Sequence, residues 1–329
     1  MTAKIVTSPV SRRYLTGFPS SAGTLIILAD GTGGVEKRYF LIDSRYYDKA
    51  KTIVNATVIK QDNYFDQINN ILTENNSSGI QLETQHLTHA QFCDFKQKFP
   101  AFNISGENTL DTEISAKRAV KTPEEIAKIK AAASIADQAF NLLIPQLKPG
   151  MTERQIATLL HILILKCGAD DIAFDLIVAS GENSAIPHAT PTGRILKDGD
   201  VLLIDFGARK DGYHSDCTRT LFVGGKASEK ARAAYTAVER AQKLAISLMK
   251  PGGASRSIDK AVKQSIIDAG FQPYGHGLSH GVGLEIHEAP TVSENSGGIL
   301  EKGNVITCEP GIYIPSEFGI RIEDLVFIK

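Results

Sequence analysis

Between residues 126 and 143, Ile126, Ile129, Ala133, Ala136, Phe140 and Leu143 recur at spacings of three and four, one apolar face of a predicted helix. Its start is written in Thr122-Pro-Glu-Glu125: an N-cap threonine, a proline in the first turn and a glutamate three residues on. Thr152-Glu-Arg-Gln155 is a second capping box and opens a helix that ends near Gly168. Residues 228–249 and 257–269 read as two more helices by the same reasoning. Before residue 120 the pattern is mixed. Residues 24–29 and 39–42 are short apolar runs separated by Asp30-Gly-Thr-Gly-Gly34, a turn signal that predicts a hairpin. Residues 53–59 form a third candidate strand, and 65–72 and 89–99 have helical spacing. Residues 111–121 are charged and aperiodic and read as a linker. The expected organisation is an α+β chain with a smaller α/β domain over 1–120 and a larger domain over 121–329.

The larger domain repeats itself. Lys148-Pro149-Gly150 recurs as Lys250-Pro251-Gly252, each closing one helix and preceding the next. Leu196-Lys-Asp-Gly199-Asp-Val201-Leu-Leu-Ile-Asp205-Phe-Gly207 aligns without a gap on Leu300-Glu-Lys-Gly303-Asn-Val305-Ile-Thr-Cys-Glu309-Pro-Gly311. Two like half-domains related by a pseudo-twofold axis account for this.

In both halves an acid ends a short apolar strand, and a turn then brings a second acid back. The chain turns near Lys210-Asp-Gly212, which sets Asp205 directly opposite Asp216 or, with the turn one residue later, diagonal to it, within about 4.5–8 Å. A loop centred on Ser316 sets Glu309 opposite Glu323. Like charges facing each other destabilise a hairpin. Protonation, solvent exposure or bridging cations could each relieve the repulsion. If the pseudo-twofold brings both hairpins to one centre, four carboxylates meet there, and two divalent ions neutralise them.

Eight histidines are present. His86, His89 and His161 are isolated and read as surface or core residues, and His214 should point away from the face that Asp216 uses. His276, His280 and His287 lie together in a glycine-dense stretch, where the backbone can approach a site closely. His188 belongs to a proline-containing loop suited to substrate contact. One imidazole among four carboxylates makes an oxygen-rich site, which favours Mn²⁺ over Zn²⁺. Gly277-Leu-Ser279-His-Gly281 matches the nucleophile elbow of serine hydrolases, but a strand before it and a helix after it are not predicted, and the later acid and histidine come in the wrong order.

Composition narrows the classes further. With 36 basic and 37 acidic residues the formal net charge is −1, which leaves no electrostatic footprint for nucleic acid or an anionic membrane. No apolar run approaches the ~20 residues of a membrane helix, and the N-terminus lacks the pattern of a signal peptide. The four cysteines, Cys93, Cys167, Cys217 and Cys308, are scattered and read as reduced thiols of a cytoplasmic protein.

The motifs Ile204-Asp205-Phe-Gly-Ala, Gly212-Tyr-His-Ser-Asp216-Cys-Thr-Arg-Thr220, Ser279-His280-Gly-Val-Gly-Leu-Glu-Ile-His287, Glu309-Pro-Gly-Ile-Tyr313 and Gly319-Ile-Arg321-Ile-Glu323-Asp324 resemble, in this order, those of the Xaa-Pro aminopeptidases and prolidases. Methionine aminopeptidases are more distant relatives. Tyr14-Leu-Thr-Gly-Phe18 and Arg118-Ala-Val-Lys121 look like that family's N-terminal domain and its junction. The resemblance implies a C-terminal pita-bread fold, a creatinase-like N-terminal domain and a homodimer. It implies two divalent metal ions, Mn²⁺ foremost with Co²⁺ or Zn²⁺ as alternatives, held by Asp205, Asp216, His280, Glu309 and Glu323, with Asp216 and Glu323 bridging. It further implies substrate contacts from His188, His276 and His287, a proton-carrying role for Glu309, and Tyr313 and Arg321 lining or bracing the site. The substrates expected are short peptides with proline in the second position. An Xaa-Pro dipeptidase shares every ligand and is the main alternative. A methionine aminopeptidase and a binding module that has lost catalysis are remoter ones.

Overall fold

Alternate side chains of one strand feed two separate cores in the N-terminal part of the chain. A computed structural model describes residues 1–29 and 36–329, which divide into two units, Met1–Arg118 and Ala119–Lys329. The first unit runs β1 (Thr2–Val6), α1 (Pro9–Thr16), β2 (Thr24–Ala29), β3 (Lys37–Ile42), α2 (Tyr47–Ile53), β4 (Thr57–Lys60), α3 (Tyr64–Glu74), β5 (Gly79–Leu82), α4 (His89–Lys98), β6 (Asn103–Ser105) and α5 (Thr109–Ala119). Its strands form one mixed sheet in the order β4-β3-β2-β1-β5-β6. Ile26 and Leu28 of β2 pack with Ile68, Leu72, Phe95 and Phe99 of α3 and α4 and the turn that ends α4. Leu25 and Ile27 point the other way, against Phe40, Ala50, Leu110 and Ile114. Helices therefore cover both faces.

The antiparallel pairing of β2 and β3 is as expected; the turn expected at Asp30-Gly-Thr-Gly-Gly34 lies outside the described residues. Two expectations are corrected. Residues 53–59 are not one strand: Ile53 ends α2, and only Thr57–Lys60 pairs, parallel to β3. Residues 111–121 are not a linker, because α5 runs to Ala119. Its Leu110 and Ile114, four residues apart, are enough to seat it on the sheet, with Asp111 in its first turn and Lys117 and Arg118 in its last.

The second unit runs α6 (Pro123–Leu143), α7 (Glu153–Lys166), β7 (Asp171–Ile172), β8 (Ile177–Ser180), β9 (Val201–Phe206), β10 (Ala208–Lys210), β11 (Tyr213–His214) and β12 (Cys217–Phe222). It continues with α8 (Glu229–Leu248), α9 (Ser255–Asp268), β13 (Ser279–Gly281), β14 (Glu288–Val292), β15 (Val305–Cys308), β16 (Gly311–Ile314), β17 (Phe318–Arg321) and β18 (Asp324–Phe327). Both predicted capping boxes form, on Thr122 and Thr152.

The internal repeat is visible bond by bond. Gly150 N donates to Leu196 O at 3.0 Å, and Gly252 N to Leu300 O at 2.9 Å. Gly199 and Gly303 both take the left-handed conformation, φ 85° and 93°, which suits glycine. The isolated bridge Thr152↔Ile195 recurs as Ala254↔Ile299. Helices α6 and α7 cover the first half through Ala136, Phe140, Ile156 and Leu160 against Ile204 and Phe206. Helices α8 and α9 cover the second through Val238, Ala241, Ile258 and Val262 against Ile306 and Cys308.

The turns set the registers. Asp211 and Gly212, φ 49° and 79°, form the two-residue loop between β10 and β11, with Lys210 opposite Tyr213. Thr218 thereby faces Asp205, so Asp216 is the diagonal neighbour of Asp205, the second of the two expected registers. The other hairpin is centred on Ser316, φ 62°, with Ile314 opposite Phe318 and Gly311 opposite Arg321. The pairing of Cys308 with Asp324 keeps this register, which sets Glu309 opposite Glu323. The two hairpins meet at an antiparallel bridge between Thr218 and Glu323.

Candidate active site

Four acids and a histidine arrive at one buried point from different elements of the second unit. Asp205 lies on β9, Asp216 just before β12, His280 on β13, Glu309 just after β15 and Glu323 between β17 and β18. All five line a cleft of about 970 Å³. Gly207 allows the local fold: a β-carbon there would collide with the carbonyl oxygen of Ser215, next to Asp216.

Asp216, His280 and Glu323 each offer a ligand atom within 4.8 Å of the others. His280 Nε2 also lies 3.5 Å from Asp216 Oδ2 and 3.4 Å from Glu309 Oε1. Burial pushes the His280 imidazole down to about 4, so it is neutral. Its Nδ1 sits 3.1 Å from the carbonyl of Gly281, an acceptor only, which assigns the ring proton to Nδ1. Nε2 therefore presents a lone pair to two carboxylate oxygens. Burial, then the charges of Glu323, Asp205 and Glu309, raises the Asp216 carboxyl well above its usual range. Burial and Glu323 do the same to Glu309, and burial and Asp205 push Glu323 up to about 8. Asp205 Oδ1 is buried with no hydrogen-bond partner. Lone pairs converging on lone pairs, repelling carboxylates and an orphaned buried acceptor all fit divalent cations, and the donor set is that of a hard, oxygen-rich site.

Arg321, Thr218 and Thr307 brace the acids directly. Arg321, buried, donates from Nη2 to Asp205 Oδ2 at 2.7 Å, from Nε to Thr218 Oγ1 at 3.1 Å and from Nη1 to Tyr313 OH at 2.9 Å. Arginine only donates, so the Tyr313 hydroxyl accepts from it and turns its own proton to His276 Nε2, 3.0 Å away. His276 stacks on Tyr274 at 5.0 Å, and burial lowers its imidazole to about 4. Thr218 Oγ1 donates to Glu323 Oε2 at 2.6 Å, and Thr307 Oγ1 to Glu309 Oε1 at 3.4 Å. These threonines escape sequence reasoning, although Thr307 left a signal: it stands in a buried strand where the first half has Leu203.

Residues 127–329 match the model of metallopeptidase family M24. The chain belongs to that family. Residues 1–113 match the creatinase/prolidase N-terminal domain. The chain is 37% identical to the Xaa-Pro dipeptidase of Pyrococcus furiosus, over 98% of this chain and 89% of that protein. The crystal structure of the X-Pro aminopeptidase from Thermotoga maritima superposes with a TM-score of 0.91 at 33% identity, covering 100% of this chain and 93% of that one. The Xaa-Pro dipeptidase from Bacillus anthracis gives 0.92 at 33% identity, covering 99% and 90%. The pita-bread architecture with a creatinase-like N-terminal domain, implied by the resemblance, is the observed one. As an M24 metallopeptidase the protein is a hydrolase that depends on divalent metal ions.

Around the M24 centre the remaining expected residues take distinct places. His287 is exposed in the cleft, its ring edge-on to His280 with centroids 4.3 Å apart. His188 is exposed on the opposite half's loop and lines the same cleft. Each lies in the segment after the strand that pairs with β9 or β15, namely β8 or β13, so the two histidines come from matching segments of the two halves. Tyr313 reaches the centre through its contacts to His276 and Arg321. His214 turns its Nδ1 to Gly283 O, 3.1 Å away. His161, read as a bland helix residue, lines the cleft with Arg154, Ala157 and Thr158 on one face of α7. The elbow-like Ser279 lies in β13 with its hydroxyl buried and unpartnered, and β14 follows instead of a helix. Among the described residues all four cysteines are free, and no helix is long and apolar enough to cross a membrane.

Proposed function

We propose that this M24 metallopeptidase is an aminopeptidase that hydrolyses the Xaa-Pro bond at the N-terminus of peptides. The chemistry rests on the convergence of Asp205, Asp216, His280, Glu309 and Glu323, which would hold two divalent ions, Mn²⁺ foremost. Ions bound there would supply hydroxide near neutral pH and polarise the scissile carbonyl. Glu309 carries a proton from the attacking water to the proline nitrogen. His287 and His188 approach the bound peptide from the two halves of the repeat, donating to the oxygen that gains charge and orienting the substrate. His276, held by Tyr313, supports the same wall. Arg321 fixes Asp205 in place. The relatives named as acting on Xaa-Pro peptides support proline in the second position. A homodimer is part of this reading.

The observation favouring peptides longer than two residues is the extension of the cleft beyond the acids, along Arg154, Ala157, Thr158 and His161 of α7. A volume of about 970 Å³ lies at the upper end of small-molecule sites. The dipeptidase reading draws on the 37% identity to an Xaa-Pro dipeptidase. Comparing kcat/KM on Ala-Pro and Ala-Pro-Pro-Ala separates the two. Preference for the longer peptide supports the aminopeptidase, and turnover confined to Ala-Pro makes the protein a dipeptidase.

A further inference from the structure

Glu153 opens α7 with a side chain that is completely buried. Its Oε1 accepts from Ser180 N at 2.7 Å, Ser180 Oγ at 2.8 Å and Asn183 Nδ2 at 3.1 Å. Its Oε2 accepts from Thr192 N at 3.0 Å, Thr192 Oγ1 at 2.5 Å and Asn183 Nδ2 at 3.2 Å. Burial pushes this carboxyl up, but the hydrogen bonds from Thr192 and Ser180 outweigh that and hold it below its usual range, so it is ionised at neutral pH. One charge thus ties down residues 180, 183 and 192, the beginning and end of the segment that carries His188 into the cleft.

The second half of the repeat serves as an internal control. There Ser255 takes the place of Glu153: Ser255 N donates to Gly298 O at 3.0 Å as Glu153 N donates to Arg194 O at 3.1 Å. The Ser255 hydroxyl is buried without a partner. The second half carries no acid at this position; the buried acid of α9 is Asp259, one turn further along, whose Oδ2 accepts from Glu294 N at 2.8 Å, beyond β14 and away from His287. What differs is the segment that follows β8 or β13. In the second half it includes β14, which pairs with β13 through the backbone. In the first half residues 181–195 form no strand, and buried backbone groups need partners from elsewhere.

We propose that Glu153 is a positioning residue for His188, clamping the 180–192 segment so that the imidazole stands at the reacting end of the cleft. This rests on the reading of His188 as a group that contacts the substrate. Glu153 does not touch the peptide; it replaces, with one carboxylate, the strand ladder that holds His287 in the other half. A misplacement of about 1 Å at a reacting group can cost up to about a hundredfold in rate.

The test uses the full-length, Mn²⁺-loaded protein with Ala-Pro-Pro-Ala and Ala-Pro. Glu153→Gln puts an amide N–H against donors; Thr192→Val removes one donor and covers the case in which the first variant does not fold. Either should lower kcat more than it raises KM, by about tenfold or more for Glu153→Gln, while bound metal stays constant. Backbone amide exchange should accelerate within 181–192. In a His188→Ala background the same substitutions should cost less than about twofold, because the clamp then has nothing to position. Losses that multiply in the double variants, metal lost in step with activity, or unchanged exchange in 181–192 would each overturn the proposal and leave the function standing. An unchanged kcat in His188→Ala alone would overturn the role of His188, and this proposal with it.

Discussion

Arg321 and Asp205 form an ion pair of 2.7 Å between the two halves of the repeat, and both side chains are almost removed from solvent. The pair leaves Asp205 Oδ1 with no partner, so the arginine orients the carboxylate and keeps one oxygen free for the centre. Breaking a buried pair by removing one partner costs about 3–5 kcal/mol, because a charge stays behind uncompensated. Arg321→Ala should therefore destabilise the metal-stripped protein by that amount in denaturant titrations, and the Mn²⁺-loaded protein by less. Equal losses in both states would show that Arg321 does not compensate charge at this centre.

Asp216 and Glu323 each offer a ligand atom within 4.8 Å of the other and of His280. Asp216→Ala or Glu323→Ala should abolish hydrolysis and metal binding together, read by elemental analysis after dialysis. Near-normal turnover in either variant contradicts the proposed place of both acids as metal ligands.

His287 lies beside His280 with its ring exposed to the cleft. His287→Ala should retain metal and lose about 10²-fold or more in kcat, the scale of one lost donor to a developing oxyanion. Loss of metal instead would make His287 a ligand.

The acids also predict how stability depends on pH once the metal is removed. Glu323 is raised from an ordinary 4.5 to about 8, chiefly by burial and then by Asp205, and Asp216 and Glu309 are raised in the same direction. A group whose folded-state pKa is raised stabilises the fold fully below its unfolded value and loses that contribution as pH rises through the folded value. The Tm of the stripped protein should therefore fall as pH rises from about 6.5 to 8, above the range in which His276 and His280, lowered to about 4, add stability in the opposite sense. Glu323→Gln should flatten that fall, and Mn²⁺ should raise Tm most at the alkaline end. A stripped protein whose Tm rises over this range would contradict the mutual repulsion of the acids.

Much of this centre is legible in the order and spacing of the residues. Gapless repetition places Asp205 and Glu309 at equivalent strand ends, and the loop around Ser316 defines one hairpin register. The first hairpin allows two registers because its turn could fall on either side of Asp211, and the left-handed Asp211-Gly212 pair selects the diagonal one. Helix α5 is illegible because only Leu110 and Ile114 mark its buried face among charged neighbours. Thr218 and Thr307 read as ordinary strand formers, and their hydroxyls acquire meaning only when Glu323 and Glu309 are brought alongside. Glu153 reads as one letter of a capping box; its clamp depends on residues up to 39 positions away.

The measurement that bears most directly on the account is a titration of chelated protein with Mn²⁺, following bound metal and hydrolysis of Ala-Pro-Pro-Ala together. The stripped protein should show no turnover, and activity should rise to a plateau as two ions bind per chain. Full turnover without metal, or none at any loading on this peptide or on Ala-Pro, would contradict the proposed two-metal peptidase.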